Sequence, residues 1–156
     1  MTETREGGCI CGAIRYRLTG APMFVHCCHC TDCQRETGSG FAINALYEAG
    51  RVELLAGVPE AIDTPTASGK GQTILRCPTC RVALWSHYAG SGEAVAFLRA
   101  GTLDQAAALV PDIHIYTRSK LPWVRLPEGA RAVEDYYSPK DVWPEESRAR
   151  WKAACG

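Results

Sequence analysis

Apolar and polar residues alternate in short runs along most of this chain, and glycine or proline closes each run. Ile14, Tyr16 and Leu18 are separated by Arg15 and Arg17, the period-two signature of a half-buried strand. Residues 41–46, 51–55, 72–76, 82–86, 94–99 and 112–116 carry comparable β-prone runs. Gly101-Thr102-Leu103-Asp104-Gln105-Ala106 predicts a helical turn with Thr102 or Asp104 as its cap. Beyond Trp123 the pattern changes. Pro144 precedes Glu145 and Glu146, and Arg148, Arg150 and Lys152 follow, which predicts a C-terminal helix with Pro144 at its first position. The expected fold is mainly β, with short helical turns and a C-terminal helix packed on the β body. A lid or a dimer contact is the other role open to that helix.

No linker or low-complexity tract interrupts this pattern, and 156 residues suffice for one domain, 1–156, with a hydrophobic core. A composition of 46% hydrophobic and 22% charged residues is ordinary for a globular chain and separates few classes. Other features exclude more. Apolar runs never reach the ~18–20 residues of a membrane span. Basic and acidic residues balance at 17 each, without a Lys/Arg block, which argues against nucleic acid as a partner. The opening Met1-Thr2-Glu3-Thr4-Arg5-Glu6 is polar and lacks the apolar core of a secretion signal. A cytoplasmic chain is expected, and its nine cysteines read as reduced thiols rather than disulfides.

Seven of the nine are grouped, as Cys9-Ile10-Cys11, Cys28-His29-Cys30-Thr31-Asp32-Cys33 and Cys77-Pro78-Thr79-Cys80. A tetrahedral thiolate site for zinc needs four sulfurs, usually as two short pairs from separate turns. Cys77 and Cys80 make half of such a site. Pairing them with Cys30 and Cys33 gives an ordinary zinc ribbon and strands Cys9 and Cys11. Pairing them with Cys9 and Cys11 leaves Cys28, Cys30 and Cys33 as a three-sulfur set and uses every clustered cysteine. Four thiolates close a zinc shell, whereas three leave a position for water or substrate, and that difference separates a structural from a catalytic zinc. In an extended Cys-x-Cys both sulfurs point the same way, so each such pair can grip one metal. With seven thiolates and two Zn²⁺ the net charge becomes about −3. A closed second site is the other reading, because His26 lies two residues before Cys28 and could complete a Cys₃His shell. His29 and Cys27 point away from Cys28 in an extended strand, and His87 and His114 show no ligand spacing. Cys27 and Cys155 read as a small buried residue and a tail thiol.

The run Gly7-Gly8-Cys9-Ile10-Cys11-Gly12-Ala13-Ile14-Arg15-Tyr16 resembles the opening motif of the glutathione-dependent formaldehyde-activating enzyme family, also called CENP-V/GFA. Cys28-His29-Cys30-Thr31-Asp32-Cys33-Gln34-Arg35 followed by Thr37-Gly38-Ser39 is similar to its second motif, and Cys77-Pro78-Thr79-Cys80 to its third. Gly101-Thr102-Leu103-Asp104, Pro111-Asp112-Ile113-His114-Ile115-Tyr116 and Pro122-Trp123 resemble its downstream landmarks. The resemblance runs over about residues 6–125 and leaves about 128–156 as an extension.

This resemblance implies a Mss4-like fold, a structural zinc on Cys9, Cys11, Cys77 and Cys80, and a catalytic zinc on Cys28, Cys30 and Cys33. It implies carbon–sulfur lyase-type chemistry: a small thiol and a small aldehyde joined or parted, such as glutathione plus formaldehyde giving S-hydroxymethylglutathione. Glutathione carries two carboxylates, for which Arg35, Lys70, Arg118 and Lys120 are bases near the motifs. Arg81 departs from the family, which often has glycine after the third motif. The Mss4-like fold also occurs in proteins that bind partners, so a non-catalytic zinc-stabilised binding module is the alternative. Chromatin association, known for a relative, would want a long basic extension that this chain lacks.

Overall fold

Ile14, Tyr16 and Leu18 turn inward and are no more than 1% exposed, while Arg15 and Arg17 stay near the surface. Tyr16 and Leu18 lie on β2 (Arg15–Thr19), the middle of a small antiparallel sheet between β1 (Thr4–Gly8) and β5 (Val52–Ala56). The computed structural model describes residues 2–156. Among them a second, seven-stranded sheet is built from β3 (Phe24–Cys28), β4 (Ala42–Glu48), β6 (Glu60–Thr64), β7 (Gln72–Arg76), β8 (Ala83–Tyr88), β9 (Val95–Arg99) and β10 (Ile113–Ile115). Its order is β10-β3-β4-β9-β8-β7-β6, with β10 parallel to β3 and the other neighbours antiparallel. The protein is mainly β, as its alternation predicts.

The large sheet is covered on both faces where β3 and β4 run. Ala45 and Tyr47 of β4 pack with Tyr16, Leu18 and Leu98 toward the small sheet. Leu46 packs with Phe24, Val95, Ile113 and Trp143 on the opposite face, under the C-terminal segment. Each such fully buried large side chain contributes about 1.5–3 kcal/mol of transfer free energy. Burial on both faces explains why all five residues of β3 are buried and why no alternation marks this strand.

Among the described residues three α-helices complete the fold: α1 (Thr31–Thr37), α2 (Pro139–Val142) and α3 (Glu145–Cys155). The C-terminal helix is present as predicted, but Pro144 takes the capping position rather than the first helical one. Polar clamps dock α3. Arg150 makes two 2.7 Å contacts with Glu48, and Ser147 donates to the Met23 carbonyl at 2.6 Å. No helix among the described residues is long and apolar enough to cross a membrane.

The predicted capped turn over 101–106 takes another form. Two 3₁₀ turns, Ala100–Thr102 and Ala106–Ala108, flank Leu103, which is buried and bridges to Gly7 of β1. Neither expected cap is available. Thr102 donates to the Arg99 carbonyl and accepts from the Tyr16 hydroxyl, and Asp104 holds Arg15 through two contacts of 2.8 and 2.5 Å.

Candidate metal centres

The first cysteine group is made by two turns. After β1 the chain reverses through Cys9–Gly12: the Gly12 amide donates to the Cys9 carbonyl at 3.2 Å, and the Ile14 amide donates to Cys9 Sγ at 3.3 Å. Gly12 has φ +78°, a conformation that suits glycine. This corrects the extended Cys-x-Cys expected here, since the two sulfurs converge through a turn. Between β7 and β8 the Cys77 amide donates to the Val82 carbonyl, and the amides of Thr79 and Cys80 face Cys77 Sγ at 3.4 and 3.5 Å. Arg81 sits at φ +65°, a left-handed conformation that glycine adopts more easily than arginine. Its guanidinium is paired with Glu60 of β6.

These turns bring Cys9, Cys11, Cys77 and Cys80 together, with all four sulfurs within 4.8 Å of one another. Cys9 and Cys11 are 3.5 Å apart and Cys11 and Cys77 3.7 Å. Both separations are far beyond a disulfide bond, which is ~2.05 Å. They match the edges of a thiolate tetrahedron, about 3.8 Å for metal–sulfur bonds of ~2.3 Å. The donor set therefore fits zinc. Backbone N–H groups of Val82 and then Cys11 pull the Cys80 thiol down to about 6, which favours the thiolate a metal needs.

Cys28, Cys30 and Cys33 form a second group, their sulfurs also within 4.8 Å of one another. Here Cys-x-Cys is extended, as expected: Cys28 ends β3 and Cys30 has φ −69° and ψ 157°. Cys30 is the cap of α1, its sulfur accepting the Cys33 amide at 3.3 Å. The three sulfurs share charge unequally. Hydrogen bonds from Cys28, then Cys33, push Cys30 down to about 2; contact with Cys30 pushes Cys28 up, and contacts with Cys28 and then Cys30 push Cys33 up. Three soft donors suit zinc here too.

Helix α1 is held from four sides. Gln34 donates to the carbonyls of His29 and Ser119, Asp32 accepts the Ala67 amide at 2.8 Å, and Glu36 is paired with Arg76 and Arg99. Gly38, at φ +65°, ends the helix.

Neither His26 nor Cys27 joins the second group. His26 is buried, and burial lowers its pKa to about 4, keeping the imidazole neutral. Trp143 Nε1 donates to the Tyr137 hydroxyl at 2.6 Å, and the same hydroxyl is hydrogen-bonded to His26 Nε2. Among the described residues no fourth Cys, His, Asp or Glu donor lies within ligand distance of the three sulfurs.

A third cluster appears where no ligand spacing is visible in the sequence. The parallel register sets His114 beside Cys27, and His29 follows on the same face of the chain. His29 Nε2 lies 3.0 Å from His114 Nδ1 and 3.6 Å from Cys27 Sγ. Burial lowers both histidines, His29 to about 4, and raises Cys27 to about 12. All three are buried and none lines the cavity described next. The pairing of β10 with β3, between residues some 85 apart, makes this cluster, and a linear motif does not carry it.

Cys28, Cys30 and Cys33 open on a cavity of about 860 Å³. Lys70 lines it; Arg35, Arg118 and Lys120 do not. Arg118 is engaged by Glu134 and Asp135, and the Lys120 ammonium caps the carbonyls of Leu121 and Val124. Near Lys70 the cavity is also lined by Gln72 and Ser91, and Gln72 Oε1 and Ser91 Oγ are buried without a hydrogen-bond partner. Sequence reasoning missed both residues.

Two thiol clusters that could hold metal, one of four sulfurs and one of three opening on a cavity, mark a mainly β protein with candidate cysteine metal centres. The sequence model of the glutathione-dependent formaldehyde-activating enzyme family matches residues 4–119, and the chain belongs to that family. A Halomonas elongata protein, provisionally named a glutathione-dependent formaldehyde-activating enzyme, is 29% identical over 161 residues, covering 97% of this chain and 96% of its own. A crystal structure of a Rhodobacter sphaeroides protein covers 68% of this chain and 97% of its own, at 16% identity and a TM-score of 0.48.

Proposed function

We propose that this chain is a zinc-dependent carbon–sulfur lyase-type enzyme that joins a thiol to an aldehyde or reverses that addition, with glutathione and formaldehyde as the reference pair. Family membership supports the pair of reactants, and one observation carries the site: a three-sulfur set that opens on a cavity. On this reading Cys9, Cys11, Cys77 and Cys80 hold a structural zinc in a Mss4-like scaffold. Cys28, Cys30 and Cys33 hold the catalytic one, which supplies a Lewis acid and favours the thiolate form of a bound thiol.

The chain's own residues do the rest. The addition forms a carbon–sulfur bond and opens the carbonyl π bond, and the sulfur's proton ends on the former carbonyl oxygen. No oxidant is consumed. Lys70 offers a cation for a glutathione carboxylate, and Gln72 and Ser91 add polar side chains to the same cavity lining. Holding both reactants in one cavity removes much of the entropic barrier to their meeting. A metal-stabilised binding module would want the second set closed. Its best candidate donor, His26, is engaged by Tyr137 and stands outside the set.

The test is the rate of S-hydroxymethylglutathione formation by zinc-loaded protein, with the spontaneous reaction subtracted. Cys30→Ser should fall to background yet melt close to wild type, because serine preserves the helix cap. Zinc-loaded protein that neither speeds the reaction nor binds glutathione at millimolar concentration would end the glutathione–formaldehyde reading.

A further inference from the structure

The cavity above Cys28, Cys30 and Cys33 has two unlike walls. Lys70, Gln72 and Ser91 belong to a polar one. The other is apolar and includes Phe97, Ile115, Tyr116, Tyr136 and Trp151. Formaldehyde brings one carbon and one oxygen and leaves that second wall without an occupant. Cavities of ~300–1,000 Å³ hold drug-sized ligands, and this one, at about 860 Å³, lies near the top of that range.

The aromatic wall is built rigidly. Tyr116 is held at φ +54°, a left-handed conformation that costs a non-glycine residue roughly 1–2 kcal/mol. Strain of this kind persists only where the surroundings over-determine it. Here the Tyr116 amide donates to the Asp135 carbonyl at 2.8 Å, and Ser119 donates back to the Tyr116 carbonyl. Tyr136 stacks on Tyr137 at 4.7 Å, and Tyr137 is fixed between Trp143 and His26. Trp151 rests edge-on against Trp143 at 5.5 Å, on a helix clamped by Arg150 and Glu48. Both Tyr136 and Trp151 lie beyond residues 4–119, so the segment after the family match supplies part of this wall.

From this arrangement we infer that the aldehyde partner carries an unbranched aliphatic or aromatic group, which lies against Tyr116, Tyr136 and Trp151 while the thiol's peptide part lies along Lys70, Gln72 and Ser91. The inference rests on the thiol–aldehyde reading above and specifies its substrate class. Addition to such an aldehyde balances as for formaldehyde: the carbon–sulfur bond forms and the thiol proton passes to oxygen.

Stable thioethers of glutathione mimic the adduct, so calorimetric titration of zinc-loaded protein with S-methyl-, S-propyl-, S-hexyl- and S-benzylglutathione reads the wall directly. Affinity should rise about fourfold for each methylene that reaches it, on the order of sixtyfold from S-methyl to S-hexyl if three of the five added methylenes do so. Trp151→Ala and Tyr136→Ser should each reduce that ratio at least fivefold. Tyr136 stands at the exposed rim, so its variant keeps the test alive if Trp151→Ala fails to fold. A flat series with S-methylglutathione bound overturns the inference and leaves the glutathione reading standing. A steep series that survives both substitutions overturns it as well. 1-Hexanethiol binding more tightly than ethanethiol, with no glutathione thioether binding, supports the wall and removes the glutathione reading. Binding of no probe overturns both.

Discussion

Replacing Glu36 with leucine should loosen the helix that carries the second thiol cluster. Glu36 lies three residues after Cys33, and its side chain is 7% exposed. It receives Arg76 at 2.8 Å and Arg99 at 3.2 Å. Arg99 is itself buried, reaching Asn44 and Ser86 across the central strands, and its Nε has no partner. Glu36→Leu therefore leaves a guanidinium in the sheet without its counter-charge. Breaking a buried pair from one side costs about 3–5 kcal/mol. Arg76 can turn toward water, and Arg99 keeps two neutral acceptors, which places the expected loss near the lower end, about 3 kcal/mol. For a chain of this size that lowers Tm by roughly 6–12 °C. The assay is equilibrium unfolding in urea of the zinc-loaded protein, followed by the double variant Glu36→Leu/Arg99→Met. Removing both charges should recover most of the loss, since an apolar pair of similar volume often matches a buried ion pair. A Glu36→Leu variant within about 0.5 kcal/mol of wild type, the range of an ordinary surface change, would refute the reasoning. So would a double variant no more stable than the single one.

Three further outcomes follow from the geometry. Cys77→Ser should give an insoluble or low-melting protein, because Cys77 joins the turn after β1 to the hairpin of β7 and β8; normal melting would exclude a structural metal there. Mild chelation should remove metal in two steps, first from Cys28, Cys30 and Cys33 and later from the four-sulfur group; metal counting after each step checks the order, and the reverse order would contradict it. Acid should release α3. Desolvation raises Glu48, but the hydrogen bonds from Arg150 and its own backbone N–H, together with the charges of Arg150 and Arg51, outweigh it and hold its carboxyl below the usual range. A depressed folded-state pKa gives stability that is present above the unfolded value of ~4.3 and lost as pH falls through the folded value. Tryptophan fluorescence should report that loss, and Glu48→Gln should abolish its pH dependence.

Alternation made β2 legible, because one face of that strand meets the core and the other meets water. It could not reveal β3, whose two faces are both covered, nor β1 and β6, which pair through the backbone at sheet edges with mostly polar side chains. The cysteine clusters were legible because each is written as a local motif, and the division into four and three follows from counting sulfurs. Turn chemistry was less so: Cys9 and Cys11 converge through a reversal at Gly12 rather than along an extended strand. The cavity was hardly legible. Its walls come from β7, β9, β10, α3 and the segments between strands and helices, and only Lys70 among the four bases near the motifs reaches it. Thr102 and Asp104 misled as caps because distant partners, Tyr16 and Arg15, had claimed their side chains.

The spacing of the two cysteine sets along the chain gives their metals different thermodynamic meaning. Cys28, Cys30 and Cys33 lie within six residues, so an unfolded chain already offers them as one chelating peptide. A metal that binds folded and unfolded chains alike adds little to the equilibrium between them. Cys11 and Cys77 are 66 residues apart, and the unfolded chain must close that loop before all four sulfurs can meet. Metal bound at the long-range site would therefore act as a folding ligand, while metal bound at the short-range site would be captured or lost with little effect on the fold. During synthesis the short-range set is complete first, so a scarce metal would meet it before the four-sulfur set exists.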